Sequence, residues 1–374
     1  MAPLSILYLD HAAELGGAEF SLLALLRTLD RRGFAPTLAC PPGQVADRGR
    51  LLGVPLLDLH LGKLRTLNPL RFLGRLRDGR AQVRALLGRG PFQIVHANTL
   101  RAALCASRVA RKSGARFIWH VRDYAVPRWA RTLVLRDCHA AIAPSEFIAG
   151  SLGRRRKVHV IPNGIDLVDL PPEAASAAFR REWGIPPEAP VIGCLGRVLP
   201  WKGQRYFVDV VAHLASRLPG ACFLVVGSAV LADASRDHVA ELKAYAEEAG
   251  VAPRILFTGQ REDPLAALGA MDIVVNCSEN EPFGRVLIEA MACRRPIVAF
   301  RSGAVPEIVE DGSTGLLVPF GDAAGMAEAV FDLVRNRTRA EAYGEAGRHR
   351  VASLFSLKAS TRRIEELYAA LLSS

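Results

Sequence analysis

Short aliphatic and β-branched runs recur along the chain at intervals long enough to hold a helix. In the first half they are LSILYL (4–9), FAPTLAC (34–40), FQIVHA (92–97), RFIWH (116–120), HAAIA (139–143) and KVHVI (157–161). Such spacing predicts βα units and a parallel sheet. After a Pro- and Ala-rich stretch at 171–190 the pattern restarts with VIGCLG, ACFLVVG, RILFTG, DIVVNC, PIVAF and TGLLVP. The expected architecture is α/β, with two doubly wound, Rossmann-like domains at 1–170 and 191–355, a linker at 171–190, and a central cleft facing the carboxyl ends of both sheets. The last segment, 356–374, spaces Leu357, Ile364, Leu367, Tyr368 and Leu371 at helical intervals. It predicts a terminal helix that packs either on its own domain or back on the N-terminal one.

Composition narrows the classes. No run of about 18 uncharged apolar residues occurs, and the N-terminus lacks a charged segment followed by an apolar one. A cytoplasmic protein is expected. The seven cysteines are scattered and never form a C-x-x-C pair, which indicates reduced, structural thiols. Residues 1–170 hold 26 Lys+Arg against 12 Asp+Glu, while the remainder holds 22 against 25. The basic half therefore points to an anionic partner. Within it, residues 63–89 carry eight Lys or Arg and one Asp. Asn68 and Pro69 suit a helix start, and Leu70, Leu73, Leu76, Val83 and Leu87 form an apolar stripe. A basic amphipathic helix of this kind suits peripheral contact with an anionic membrane surface, its alternative being a solvated face over a core stripe. Nucleic acid is disfavoured, because no stacking-aromatic pattern accompanies the charge.

Four segments carry candidate chemistry. Glu281 lies in a loop after the run ending near Cys277, and Glu289 lies on a helix read as Gly284 to Met291, about two turns in. A helix start at a sheet edge offers N–H groups and a positive dipole end to phosphate. Glu289 then suits the two hydroxyls of a ribose, and Glu281 the transferred sugar. Arg197 and Lys202 leave the first strand of the second domain in one loop, a planar fork and a point charge for a diphosphate. Gly16 and Gly17 join the first strand to the first helix and let backbone approach a ligand. They fit neither a G-x-G-x-x-G nor a G-x-x-x-x-G-K-[ST] pattern. His120 ends another first-domain strand, a position that aims its imidazole at the cleft, and His96 with Asn98 holds the equivalent place one strand earlier. Asn163 and Gly164 suit a turn with positive φ. No D-x-D pair or zinc-type His spacing occurs, so neither a cofactor nor a divalent metal is expected to hold the diphosphate.

Taken in order, GGAE (16–19), WHVRD (119–123), PSEF (144–147), IPNGID (161–166), GR with WKG (196–203), ENEPFGRVLIEAMA (279–292), GAVPEIV (303–309) and DGSTGLLVP (311–319) resemble glycosyltransferase family 4, which has the GT-B fold. The resemblance implies retaining transfer from a UDP- or GDP-hexose to a glycan or lipid-linked acceptor, as in envelope polysaccharide or glycolipid synthesis. It assigns Glu289 to the ribose, Arg197 and Lys202 to the diphosphate, and Glu281 with the Phe283 and Gly284 backbone to the donor sugar. His120 would contact the same sugar and Gly16 with Gly17 would cover it, leaving Glu281, His120, Lys202 and Arg197 as the catalytic set. Asn98 stands where relatives often carry His, and the loop from Gly303 to Pro306 has one glycine where many have two. Competing readings are a nucleotide-sugar epimerase or a phosphorylase of the same fold, and a non-catalytic regulator that binds a nucleotide sugar.

Overall fold

The computed structural model describes residues 3–64, 68–153, 156–228 and 237–373. The chain divides into two compact units, one of residues 1–164 with 357–374, the other of residues 165–356.

Among the described residues unit 1 is built on seven parallel strands: β1 (Leu4–Leu9), β2 (Phe34–Cys40), β3 (Leu56–Asp58), β4 (Ile94–Ala97), β5 (Arg116–His120), β6 (Ala140–Ala143) and β7 (Val158–Val160). Their order is β3-β2-β1-β4-β5-β6-β7. Alternation along β1 explains why the strand is apolar throughout. Leu7 and Leu9 enter a core with Val95, Phe117 and Trp119 on one face, while Ile6 and Tyr8 enter another with Ile94 and Ile118. Both faces are covered by helices, as all-parallel sheets require. The helix Leu357–Ser373 covers the second face beside the helix Gly17–Thr28, burying Leu357, Thr361, Ile364, Leu367 and Tyr368. Of the two placements open from its sequence, it takes the one on the N-terminal unit.

Among the described residues unit 2 has six parallel strands: β8 (Val191–Leu195), β9 (Cys222–Val226), β10 (Ile255–Gly259), β11 (Ile273–Asn276), β12 (Ile297–Phe300) and β13 (Gly315–Val318). Their order is β10-β9-β8-β11-β12-β13. Strand order therefore reverses between β1 and β4 in unit 1 and between β8 and β11 in unit 2. Doubly wound sheets bind ligands beyond the carboxyl ends of the strands at such switch points.

Three expectations need correction. Residues 171–190 are not a free linker: the helix Glu173–Glu182 packs on the helix Pro264–Ala270 and buries Phe179 in the core of unit 2. That unit begins at Ile165, whose amide donates to Phe355 O (2.9 Å), so the boundary falls at 164 rather than 170. The basic helix runs Pro69–Leu87, with the Asn68 carboxamide accepting from the Leu70 and Arg71 amides. Its buried stripe is Leu76, Gly79, Val83 and Leu86, facing the neighbouring helix Leu100–Ser113 and the core, whereas Leu70 and Leu73 are 77% and 58% exposed. Residues 65–67 of that segment lie outside the described residues.

Candidate functional site

In unit 2, three loops at the carboxyl edge of the sheet are tied together by backbone. After β8 the chain passes Gly196 and the exposed Arg197, then turns through a 3₁₀ segment Pro200–Lys202. Gly203 follows at φ +68, and a Cβ there would stand 2.2 Å from the Cys277 carbonyl oxygen. Only glycine combines that φ with that approach. The contact starts the helix Gln204–Leu214 directly against the exit of β11, while Gln204 Nε2 donates to Arg197 O (2.9 Å). The Glu279 amide donates to Trp201 O (2.7 Å), joining the second loop to the first. From the third loop, Ser302 Oγ accepts from the Asn280 amide (2.8 Å) and the Ala304 amide donates to Glu281 O (2.8 Å). Gly303, at φ +60, lies so close that a Cβ would meet the Glu281 nitrogen at 2.4 Å.

This scaffold brings Lys202 and Glu281 into contact. Lys202 Nζ lies 2.7 Å from Glu281 Oε2 and 4.4 Å from the Trp201 ring centroid, with side-chain exposures of 16% for Lys202 and 7% for Glu281. An ammonium has three donors, so two remain for another anion while the carboxylate stays paired. Phe283 is buried, its ring edge-on to Phe355 at 6.0 Å, so only its backbone is available to a ligand. Gly284, at φ +97, caps the helix Arg285–Ala292, which buries Leu287, Ile288 and Met291. Glu289 is the fifth residue of this helix, a little over one turn in rather than two. Its carboxylate accepts from Arg285 Nε (3.1 Å), an i,i+4 pair that the spacing offered but that was not assigned a role.

Unit 1 contributes a different kind of site. Leu9 and Ala97 are register partners, so Asp10 and Asn98 leave the switch point side by side, with the Asn98 amide donating to Leu9 O (3.0 Å). Asn98 Nδ2 donates to Asp10 Oδ2 (2.7 Å), while Asn98 Oδ1 accepts from Arg122 Nε (3.0 Å) and Nη2 (2.9 Å). One carboxamide thus bridges a buried carboxylate and a guanidinium, using its acceptor and donor ends at once. Burial pushes the Asp10 carboxyl above its ordinary range, opposed by the Ala12 and His11 amides, Asn98 and Arg122. Arg122 Nη1 also donates to Asn163 Oδ1 (2.7 Å). Neither Asn163 nor Gly164 takes a positive φ, contrary to expectation; Asn163 is placed by this hydrogen bond instead.

His120 ends β5 but is only 3% exposed, so its imidazole is packed inside unit 1 rather than set on an open face. Its Nδ1 lies 3.3 Å from His96 Nε2 and 3.4 Å from Arg122 Nη2. Burial, reinforced by Arg122, holds His120 neutral far below the ordinary imidazole range and lowers His96 to about 3. Gly16 caps the helix Gly17–Thr28 in an extended conformation, accepting from the Phe20 amide (2.9 Å). Asp10, Arg122 and Tyr8 were given no role from the sequence, and Tyr368 was read only as a member of a helical stripe; Arg122 stood inside the WHVRD motif without a role. The seven cysteines are unpaired, and burial raises Cys194 to about 12, well away from a reactive thiolate.

Parallel doubly wound sheets carrying polar groups at their switch points define a ligand-binding protein of the Rossmann class. Residues 15–169 match the family described as Glycosyltransferase Family 4, and residues 176–350 the family described as Glycosyl transferases group 1. The lipopolysaccharide core biosynthesis mannosyltransferase LpsB of Rhizobium meliloti is 33% identical over 65% of this chain and 69% of its own length. The D-inositol 3-phosphate glycosyltransferase of Corynebacterium jeikeium is 36% identical over 56% of this chain, and the match spans about half (51%) of that relative. The crystal structure of Anabaena Alr3699/HepE in complex with UDP-glucose superimposes with a TM-score of 0.86 at 24% identity, covering 98% of this chain and 100% of that one. The chain belongs to the family 4 and group 1 glycosyltransferases, nucleotide-sugar-dependent proteins of the GT-B fold.

Proposed function

We propose that the protein transfers a hexose from a UDP- or GDP-hexose, with retention and without a divalent metal, to a glycan or lipid-linked acceptor in envelope polysaccharide or glycolipid synthesis. The observation that carries this reading is Lys202 held on Glu281 at the switch point of the second sheet, beside the start of the helix that bears Glu289. In this reading the free donors of Lys202, the Arg197 fork and the helix start take the diphosphate, and Glu289 takes the ribose hydroxyls. Glu281 and the backbone of Phe283 and Gly284 meet the sugar, and His120, Gly16 and Gly17 are the further donor contacts that the family resemblance implies. As the bond from the anomeric carbon to the phosphate oxygen breaks, the acceptor oxygen bonds to the same face, and its proton passes to the leaving phosphate. Charged hydrogen bonds at such a centre contribute about 1.5–3 kcal/mol each. Transfer assays with and without EDTA, after a thermal-shift screen of UDP, GDP and their hexose conjugates, test the proposal. EDTA-resistant transfer supports it. Conversion of the donor without acceptor, or a need for orthophosphate, would replace it with an epimerase or a phosphorylase, and binding without turnover with a regulator. A glycosylated Glu281 trapped in turnover would displace the same-face route.

A second reading concerns location: a cytoplasmic enzyme resting on the anionic inner face of a membrane. It is favoured by the exposed Leu70, Leu73 and Trp129 alongside exposed Arg71, Arg77 and Arg128, with Phe72 edge-on to Trp129 at 5.5 Å. Apolar side chains among cations suit an interface where each cation adds about 1 kcal/mol. Among the described residues no helix is long and apolar enough to cross a membrane. Co-sedimentation with anionic vesicles that weakens with salt is expected; equal recovery with neutral vesicles would end the idea.

A further inference from the structure

A chain of buried polar groups in unit 1 runs from Tyr8 to His120 and stops at a small cavity. The Tyr8 and Tyr368 hydroxyls are 3.0 Å apart, the Tyr368 hydroxyl is 2.6 Å from His96 Nδ1, and His96 Nε2 is 3.3 Å from His120 Nδ1. Both tyrosines and His96 are fully buried. The last atom, His120 Nε2, is buried with no hydrogen-bond partner in the protein. The ring lines the cavity together with Ser21, Asn163, Ser360 and Thr361.

The direction of the protons follows from the inventory of donors. Arg122 has N–H groups only, and its Nη2 faces His120 Nδ1, so that nitrogen carries a lone pair and the proton sits on Nε2. His96 Nε2 faces the same lone pair and must donate to it. His96 Nδ1 is then an acceptor, Tyr368 donates to it, and Tyr8 donates to Tyr368. Every proton in the chain has an acceptor except the His120 Nε2–H. The opposite direction leaves the proton of the buried Tyr8 hydroxyl without an acceptor and sets an Arg122 N–H against a ring N–H. A buried polar group left unsatisfied costs about 1–3 kcal/mol, so the first direction is the favoured one and its single open donor is a place for a ligand oxygen.

We infer that Tyr368 and His96 are positioning residues that hold His120 as its Nε2–H tautomer, making it a fixed hydrogen-bond donor to an oxygen of the sugar nucleotide rather than a proton acceptor. The assignment rests on the proposed contact between His120 and the donor, but the tautomer stands apart from it. Burial keeps both imidazoles neutral, so the arrangement persists through neutral pH.

Nitrogen NMR of the full-length chain labelled at histidine tests this directly. The expected spectrum has His96 and His120 both protonated at Nε2, with a coupling across the hydrogen bond from His96 Nε2 to His120 Nδ1. In Tyr368→Phe the minor Nδ1–H tautomer of His96 should rise about 5-fold or more, and kcat should fall about 10-fold with KM little changed. A proton on His120 Nδ1 in the wild type would overturn the inference, as would a Tyr368→Phe protein with unaltered tautomers and kcat. The wild-type spectrum decides the first point even if the variant does not fold. Full transfer by His120→Leu would instead remove the sugar contact, leaving the tautomer result untouched.

Discussion

The polar ends of the two sheets are held by different forces. At the β8/β11 edge, charges are paired with charges: Lys202 with Glu281 and Arg285 with Glu289, on loops locked by backbone contacts at Gly203 and Gly303. At the β1/β4 edge, neutral groups predominate, and Asp10 and Arg122 are joined through the Asn98 carboxamide. The first arrangement keeps cations in place for an incoming anion, because a lysine shared with a carboxylate still has donors to give. The second fixes orientation, because a buried hydrogen-bond chain has few ways to satisfy all its members.

That contrast can be broken in several ways. The largest effect belongs to the charged edge: Lys202→Ala and Glu289→Ala should each lower kcat/KM by about 10- to 150-fold in a transfer assay. Full activity in both would dissolve the distinction. Next comes its scaffold. Gly203→Ala forces a Cβ onto the Cys277 carbonyl at positive φ and should lower stability by about 2 kcal/mol or more in denaturant unfolding, with Gly303→Ala similar. The neutral edge should respond to acid instead. His96 and His11 are lowered to about 3 and about 4, and burial holds His120 well below the ordinary imidazole value, so the unfolded chain binds protons below about pH 6.5 that the fold does not. Stability is therefore full above that pH and falls as pH drops toward 3, by up to about 1.4 kcal/mol per pH unit for each histidine. Asp10, whose folded value is raised, works in the opposite sense in the carboxylate range. Unfolding midpoints from pH 7 to 4 check this, and His96→Gln should flatten the slope. The smallest effect is expected for Tyr8→Phe, about 1 kcal/mol, since it deletes only the outermost donor of the chain.

Much of the scaffold was legible from hydrophobic pattern, because each strand except one is a distinct apolar run before a helix. The exception, β3, has three residues and makes no periodic signal. The helix at 173–182 was hidden by its Pro- and Ala-rich surroundings, and its packing of Phe179, with the Arg180 hydrogen bonds to Ala270 O and Asp272, shows that it belongs to unit 2. The Arg285–Glu289 pair was readable as an i,i+4 spacing on a helix. Lys202 with Glu281 was readable only as two members of a motif set, since 79 residues separate them and nothing local requires their contact. Tyr8 and Tyr368 are 360 residues apart and look like ordinary core aromatics. Tertiary partners of that separation leave no trace in periodicity or spacing.

The return of Leu357–Ser373 to unit 1 sets an order of events during synthesis. Tyr8 and His96 leave the ribosome early, yet the hydroxyl that joins them arrives only after all of unit 2 has been made. At about 5–20 residues per second, the first sheet waits roughly 10–40 s with part of one apolar face, the part beside the helix Gly17–Thr28, uncovered. In that interval the surface that later receives Ile364, Leu367 and Tyr368 is open to water and to other apolar surfaces, and the closing helix ends that exposure.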